Sequence, residues 1–335
     1  MRRRLFVSWY LALLVVSLIV FFVRRRRNAW TELYDITDMT LKEDGPAFDA
    51  KFGTKVAFFM ETSGEGYLRP REVCAIESLA KTNPDMQAVL VFTYPVQNLN
   101  LRKNPTLAAV SRKMKNLHIV TMNSTKVLLN SPIFRQKLNI LQQSKFPTVF
   151  LSDFLRVLLV YTFGGIYFDT DFIIFKDLSP LLEKNNFVTK PKGQPLVNSC
   201  VFSFERKHPF AEKLMKTVGE RFNPKNYASA PAAFKVAVED FFKMDLEQAI
   251  EKSPFEGVTV MDYIEFSPIF YYDFRQIFNE SFVSLADEIV RSSYASHMWN
   301  YMGWSLKLDL NSKAPYAILA RRFCPITVHN IEGGF

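Results

Sequence analysis

The sequence predicts an α/β fold with a parallel sheet, preceded by a helix that spans a membrane. Three observations carry this. From residue 55 onward, short apolar runs of strand length alternate with longer runs of helix length. The ten residues Gly164–Ile173 hold two carboxylates, Asp169 and Asp171, inside a β-branched and aromatic run. Near the start of the chain, Leu5–Val23 is uncharged over 19 residues.

As a helix, Leu5–Val23 would be about 28 Å long, close to the hydrocarbon thickness of a bilayer. Arg2-Arg3-Arg4 precede it and Arg24-Arg25-Arg26-Arg27 follow it directly. A cleaved signal peptide has a shorter core and a small-residue cleavage site, so the run reads as a retained anchor. The arginines on its two sides nearly cancel under the positive-inside rule. Residues 1–4 are then a cytoplasmic tail, 5–23 the anchor and 24–52 a stem, because 28–52 is polar and weakly patterned.

Lys55–Met60 reads as a first buried strand. Pro70–Asn83 reads as a helix, with proline in its first turn and Asn83-Pro84 ending it. Ala88–Thr93 is a second strand, Leu107–Asn116 a helix and Leu117–Val120 a third strand. Pro147–Phe163 is an apolar helix stopped by Gly164, and the strand with both aspartates follows. Further on, Val197–Phe204 and Tyr294–Trp299 read as strands. Pro209–Phe222, Pro231–Met244 and Pro315–Phe323 read as helices. The body divides into 53–190, which carries the aspartate pair, and a mixed second half, 191–335.

The net charge of +9 belongs to the anchor. Residues 1–27 hold seven arginines and no acid; the rest carries 35 basic and 33 acidic residues, a net +2. No basic face and no nucleic-acid motif remain. The 308 residues after the anchor suffice for a real core, and 32 Phe and 13 Tyr make it aromatic-rich. Cys74, Cys200 and Cys324 have no metal spacing; they allow one disulfide in three pairings, with one thiol left over. The sequons at Asn123 and Asn279 lean toward a lumenal body.

In a strand, residues i and i+2 share a face, so Asp169 and Asp171 would project together. No protein cation stands beside them in sequence, and a divalent metal with oxygen ligands, Mg²⁺ or Mn²⁺, relieves such repulsion. An EF-hand needs Gly at loop position 6 and Glu at 12; Ile174 and Pro180 stand there, which excludes it. A phosphatase with an aspartate nucleophile would place that strand near the front of its domain. The Gly164-Gly165 pair gives a sharp turn and room for a ligand against the backbone. Asp153 and Arg156, three apart in the preceding helix, share a face. They are either a local ion pair or an anion-binding and sugar-binding couple.

Leu151–Arg156 through Phe163–Asp171 resembles the nucleotide-sugar region of Golgi α1,4-glycosyltransferases. Cys74–Ala80, Phe204–His208, Tyr294–Asn300 and Arg322–Pro325 resemble further segments of the same family, in the same order. The likeness implies a GT-A type nucleotide-sugar-binding fold, a UDP-galactose or UDP-N-acetylgalactosamine donor, Mn²⁺, and α1,4 transfer with retention to a glycolipid acceptor such as lactosylceramide. It implies a single-pass type II protein of the Golgi membrane with a lumenal catalytic body. By the same resemblance Asp169, Asp171 and His297 hold the metal, and Asp153, Arg156 and Asn198 face the donor. No nucleophile is identified. Where relatives carry a Gly-x-x-Gly-Pro segment, this chain has Tyr227-Ala228-Ser229-Ala230-Pro231. The change points to Tyr227 as an acceptor contact, or to a family member that binds without transferring.

Overall fold

The structure, a computed structural model, describes residues 33–93, 103–184, 186–331 and 334–335. Residues 35–335 form one compact unit. The run 5–23, with its flanking tail, lies outside the described residues. Among those residues, no helix is long and apolar enough to cross a membrane.

Among the described residues, seven strands of four or more residues build a mixed sheet. They are β1 (Val56–Glu61), β2 (Gln87–Thr93), β3 (Leu117–Met122), β4 (Gly165–Phe168), β6 (Asn186–Thr189), β7 (Asn198–Phe204) and β8 (Val258–Met261). Their spatial order is β3-β2-β1-β4-β7-β6-β8. The pairs β3/β2, β2/β1, β1/β4 and β6/β8 are parallel, while β4/β7 and β7/β6 are antiparallel. The parallel expectation therefore holds for β3-β2-β1-β4, and the sheet becomes mixed where β7 joins it. Between β4 and β6 lies β5 (Phe172–Ile174), which leaves the main sheet and pairs antiparallel with β9 (Ala295–His297).

The central strands β1 and β2 are buried on both faces, as their continuous apolar runs require, whereas β3 and β8 are only partly buried. Helices Pro70–Thr82, Pro147–Phe163, Pro209–Arg221 and Pro315–Phe323 start at the prolines the sequence marked, whereas the helix expected over 107–116 runs Pro105–Lys113. Helix Ser229–Phe242 begins two residues before Pro231, the expected start.

Part of the expected stem, 24–52, lies in the folded body. Residues 35–52 belong to the body, in helices Thr37–Lys42 and Gly45–Phe52. Phe48 is fully buried and stacks on Phe163 at 4.1 Å. A low apolar density hid a helix whose few phenylalanines all face the core.

Cys74 and Cys324 form the disulfide, joining two segments 250 residues apart; Cys200 is free. The same helix carries buried Glu77, whose carboxylate accepts from the Ile326 and Thr327 N–H groups at 2.7 Å each. Both links dock the C-terminal segment onto helix Pro70–Thr82.

Candidate active site

Helix Pro147–Phe163 ends at Gly164, with φ +74°, and β4 starts at Gly165, with φ +99°. A Cβ at Gly165 would lie 2.5 Å from the Val56 carbonyl oxygen, and one at Gly164 would lie 2.8 Å from the Arg206 nitrogen. The glycines therefore admit the protein's own neighbouring backbone, not a ligand as the sequence suggested. They set a tight path from the helix into β4.

The aspartates do not share a strand face. β4 ends at Phe168 and β5 starts at Phe172, so Asp169-Thr170-Asp171 is the turn between two sheets. The Asp169 N–H still donates to the Cys200 carbonyl at 2.8 Å, while the Asp171 carbonyl accepts from Met298 at 2.7 Å. Each aspartate is tied to a different sheet.

Asp169 has a protein cation after all. Arg156 Nη1 lies 3.2 Å from its Oδ1, and Tyr167 Oη donates to that oxygen at 2.6 Å. Arg156 Nη2 lies 3.3 Å from Asp153 Oδ1. The guanidinium also donates to the Ser199 carbonyl at 2.8 Å and the Ser152 hydroxyl at 2.9 Å, and packs over Tyr167. Burial pushes the Asp153 carboxyl up to about 6; Arg156 opposes this and Asp169 adds to it. Burial also works against the Arg156 charge, but Asp169, Tyr167 and Asp153 outweigh it and hold the group protonated. Sequence left open whether Asp153 and Arg156 form an ion pair or a ligand couple. They form an ion pair that aims Arg156 at Asp169.

Asp171 is different. Its Oδ1 is buried and receives no hydrogen bond, although His297 Nε2 lies 3.1 Å away. The imidazole is held by Phe172 and Trp299 at ring distances of 4.9 and 4.1 Å, and its Nδ1 accepts from the Trp299 N–H at 3.3 Å. An orphaned carboxylate oxygen beside an imidazole nitrogen suits a hard divalent cation. Among the described residues, no group of three or more His, Cys, Asp or Glu is gathered to hold one; Asp169 is engaged by Arg156 and Tyr167.

Arg156, Asp169, Asp171 and His297 line a cavity of about 820 Å³. Tyr227 lines it too, half-exposed, its ring 6.1 Å from that of Tyr301. Asn198 does not line the cavity. Its amide is spent internally, accepting from the Cys200 N–H at 2.9 Å and donating to Ser267 at 3.3 Å. Cys200, two residues on, reaches the cavity instead. Asp153 is likewise behind the wall rather than on it. Tyr167 was not foreseen; its place two residues before Asp169 was the only signal.

Residues 69–188 match the family described as the glycosyltransferase sugar-binding region containing a DXD motif. Residues 203–331 match the alpha 1,4-glycosyltransferase conserved region. The two matches are in tandem, and Asp169-Thr170-Asp171 falls within the first. The chain belongs to the DXD-containing α1,4-glycosyltransferases. This transferase is 26% identical over 273 residues to lactosylceramide 4-alpha-galactosyltransferase of Homo sapiens, covering 81% of this chain and 75% of that protein. It is 25% identical over 283 residues to alpha-1,4-N-acetylglucosaminyltransferase of Homo sapiens, covering 82% and 80%. Among solved structures, the PaToxG glycosyltransferase matches 63% of the transferase and 79% of its own chain, with a TM-score of 0.47 at 16% identity. The protein is a hexosyltransferase.

Proposed function

We propose that this transferase has a GT-A type fold and moves galactose or N-acetylgalactosamine from a UDP-sugar, with retention, in α1,4 linkage to a glycosphingolipid. The observation that carries the reading is the orphaned Asp171 Oδ1 beside His297 Nε2 on the wall of a roomy cavity. Asp171 and His297, with Asp169, are the residues to hold Mn²⁺. Such a cation, when bound, offsets charge developing on the UDP leaving group. Ligation through Nε2 requires the ring proton on Nδ1, at the expense of the long 3.3 Å contact from Trp299.

The protein's own groups have separable roles in this reading. Arg156 fixes the Asp169 carboxylate and presents a cation to the donor; Asp153 keeps that guanidinium in place. Tyr227 stands on the wall where the acceptor would enter. The test uses the full chain in detergent, with UDP-galactose or UDP-N-acetylgalactosamine and lactosylceramide. We expect UDP release that needs Mn²⁺ and stops with a chelator, and an α-configured product by NMR. Release indifferent to chelator would remove the metal set. No release with any donor would favour a relative that binds without transferring, a reading the engagement of Asp169 by Arg156 gives some ground for.

A Golgi lumenal, type II placement is proposed with it, from the apolar run 5–23 and the sequons. Asn279 is exposed and Asn123 partly buried; each caps a short helix through Oδ1, accepting from Ser281 N–H at 3.0 Å and from Lys126 N–H at 2.9 Å respectively. N-glycosidase should therefore remove mass from cell-made protein, and Asn279→Gln should abolish most of that loss. A body that stays unglycosylated while an N-terminal tag is protected in sealed microsomes reverses the orientation.

A further inference from the structure

The cavity is also lined by a group of residues chemically unlike the aspartates. Directly after β9 the chain turns through Trp299, in the left-handed region at φ 53°, into the short helix Asn300–Gly303. A bulky residue there is strained, and such strain persists only where the surroundings fix it. Tyr301 is 74% exposed, Trp304 70% and Met302 37%, and all three line the cavity. Burying large apolar side chains is favourable, so three exposed within four positions call for an occupant.

The segment beneath them is pinned. Arg71, buried in the first turn of helix Pro70–Thr82, donates Nη1 to the Gly303 carbonyl at 2.7 Å and Nη2 to the Leu306 carbonyl. Its guanidinium packs over Phe278 and Tyr316 at 5.1 and 5.6 Å. Tyr316 Oη donates to Asn300 Oδ1 at 2.8 Å, and Trp299 Nε1 donates to the Ile269 carbonyl at 3.0 Å. A Cβ at Gly303 would sit 2.6 Å from the Phe278 ring, so the base admits no bulk. A fixed backbone with solvated aromatic tips is a preorganised surface.

We propose that Tyr301 and Trp304 form the platform on which the terminal sugar of the acceptor stacks, with Arg71 as the residue that positions it. This rests on the glycan-acceptor reading above. Rigid aromatic faces suit the C–H face of a pyranose ring, and they lose little conformational freedom on binding. A sugar fits better than an acyl chain because Asp169, Asp171 and His297 line the same cavity, and an acyl chain would leave them desolvated and unpaired. A cavity of about 820 Å³ lined by both charged and aromatic side chains accommodates a nucleotide-sugar and an acceptor side by side.

The test measures donor and acceptor KM for the full chain with free lactose, a panel of other free disaccharides and lactosylceramide. Trp304→Ala and Tyr301→Ala are each expected to raise the free-sugar KM about tenfold while donor KM moves less than about twofold; Trp304→Phe should recover most of the loss. Arg71→Lys keeps the charge but not the two-pronged bond, and should raise acceptor KM more than it lowers kcat. Unchanged acceptor KM in Trp304→Ala, or a parallel rise in donor KM, overturns the proposal. An effect confined to lactosylceramide, with weaker binding to phosphatidylcholine vesicles, reassigns the shelf to a lipid surface. If no donor is turned over, the transfer reading is what fails. Disaccharide binding read by tryptophan fluorescence, with and without Trp304, still decides the shelf, and no disaccharide binding by the unmodified chain sinks it.

Discussion

Asp171→Asn is expected to lower sugar transfer by at least about a hundredfold, more than loss of an outer-shell partner of a metal ligand usually costs. The amide keeps the size of the side chain, and the main-chain bond from Met298 to the Asp171 carbonyl is untouched. It removes a charge from a buried oxygen that receives no hydrogen bond, so the folded state should be no less stable than before. A readout independent of turnover is available. A ligand that binds only the native state raises its melting temperature in proportion to the logarithm of its concentration. Mn²⁺ should therefore raise Tm of the unmodified chain, and the rise should vanish in Asp171→Asn. Normal transfer in that variant, or an undiminished rise with Mn²⁺, contradicts the assignment. His297→Ala separates ligand from structural histidine: a weaker Mn²⁺ response at nearly constant Tm marks a ligand.

Much of this site was legible in the sequence, and the limits are instructive. Gly164-Gly165, the Asp169–Asp171 pair and the Asp153/Arg156 spacing are local, so local rules found them. The shared strand face was the wrong inference from the right residues. The alternation rule holds only while a strand keeps its partners, and here the chain changes sheets between Phe168 and Phe172. What draws β5 away is β9, more than a hundred residues downstream, and no local pattern encodes that pairing. The same applies to Asn198, whose amide is taken up by Ser267, and to Arg71, whose partners are carbonyls at 303 and 306. The helices at 37–52 were missed because their polar faces outnumber the few residues they bury.

Arg156→Met is the more severe test of the electrostatic arrangement. The guanidinium is nearly fully buried and sits between Asp153 and Asp169. Removing one partner of a buried ion pair leaves an uncompensated charge, a loss of about 3–5 kcal/mol. The sign with pH follows from Asp153. Its carboxyl is already raised to about 6 by burial, so the stability tied to its proton is complete below its ordinary range and is lost as pH rises through that value. Without Arg156 nothing offsets the burial, and the loss must become larger by reaching to higher pH. Urea unfolding should therefore show a larger gap between variant and unmodified chain at pH 8 than at pH 5. An equal gap at both would mean that Asp153 is not the charge left behind. Transfer should fall as well, yet Asp169 would be released from its protein cation. Mn²⁺ should then raise Tm of the variant at lower metal concentration than it does for the unmodified chain. That opposite movement of stability and metal response is what competition between Arg156 and a cation for Asp169 requires, and a merely structural arginine would not produce it.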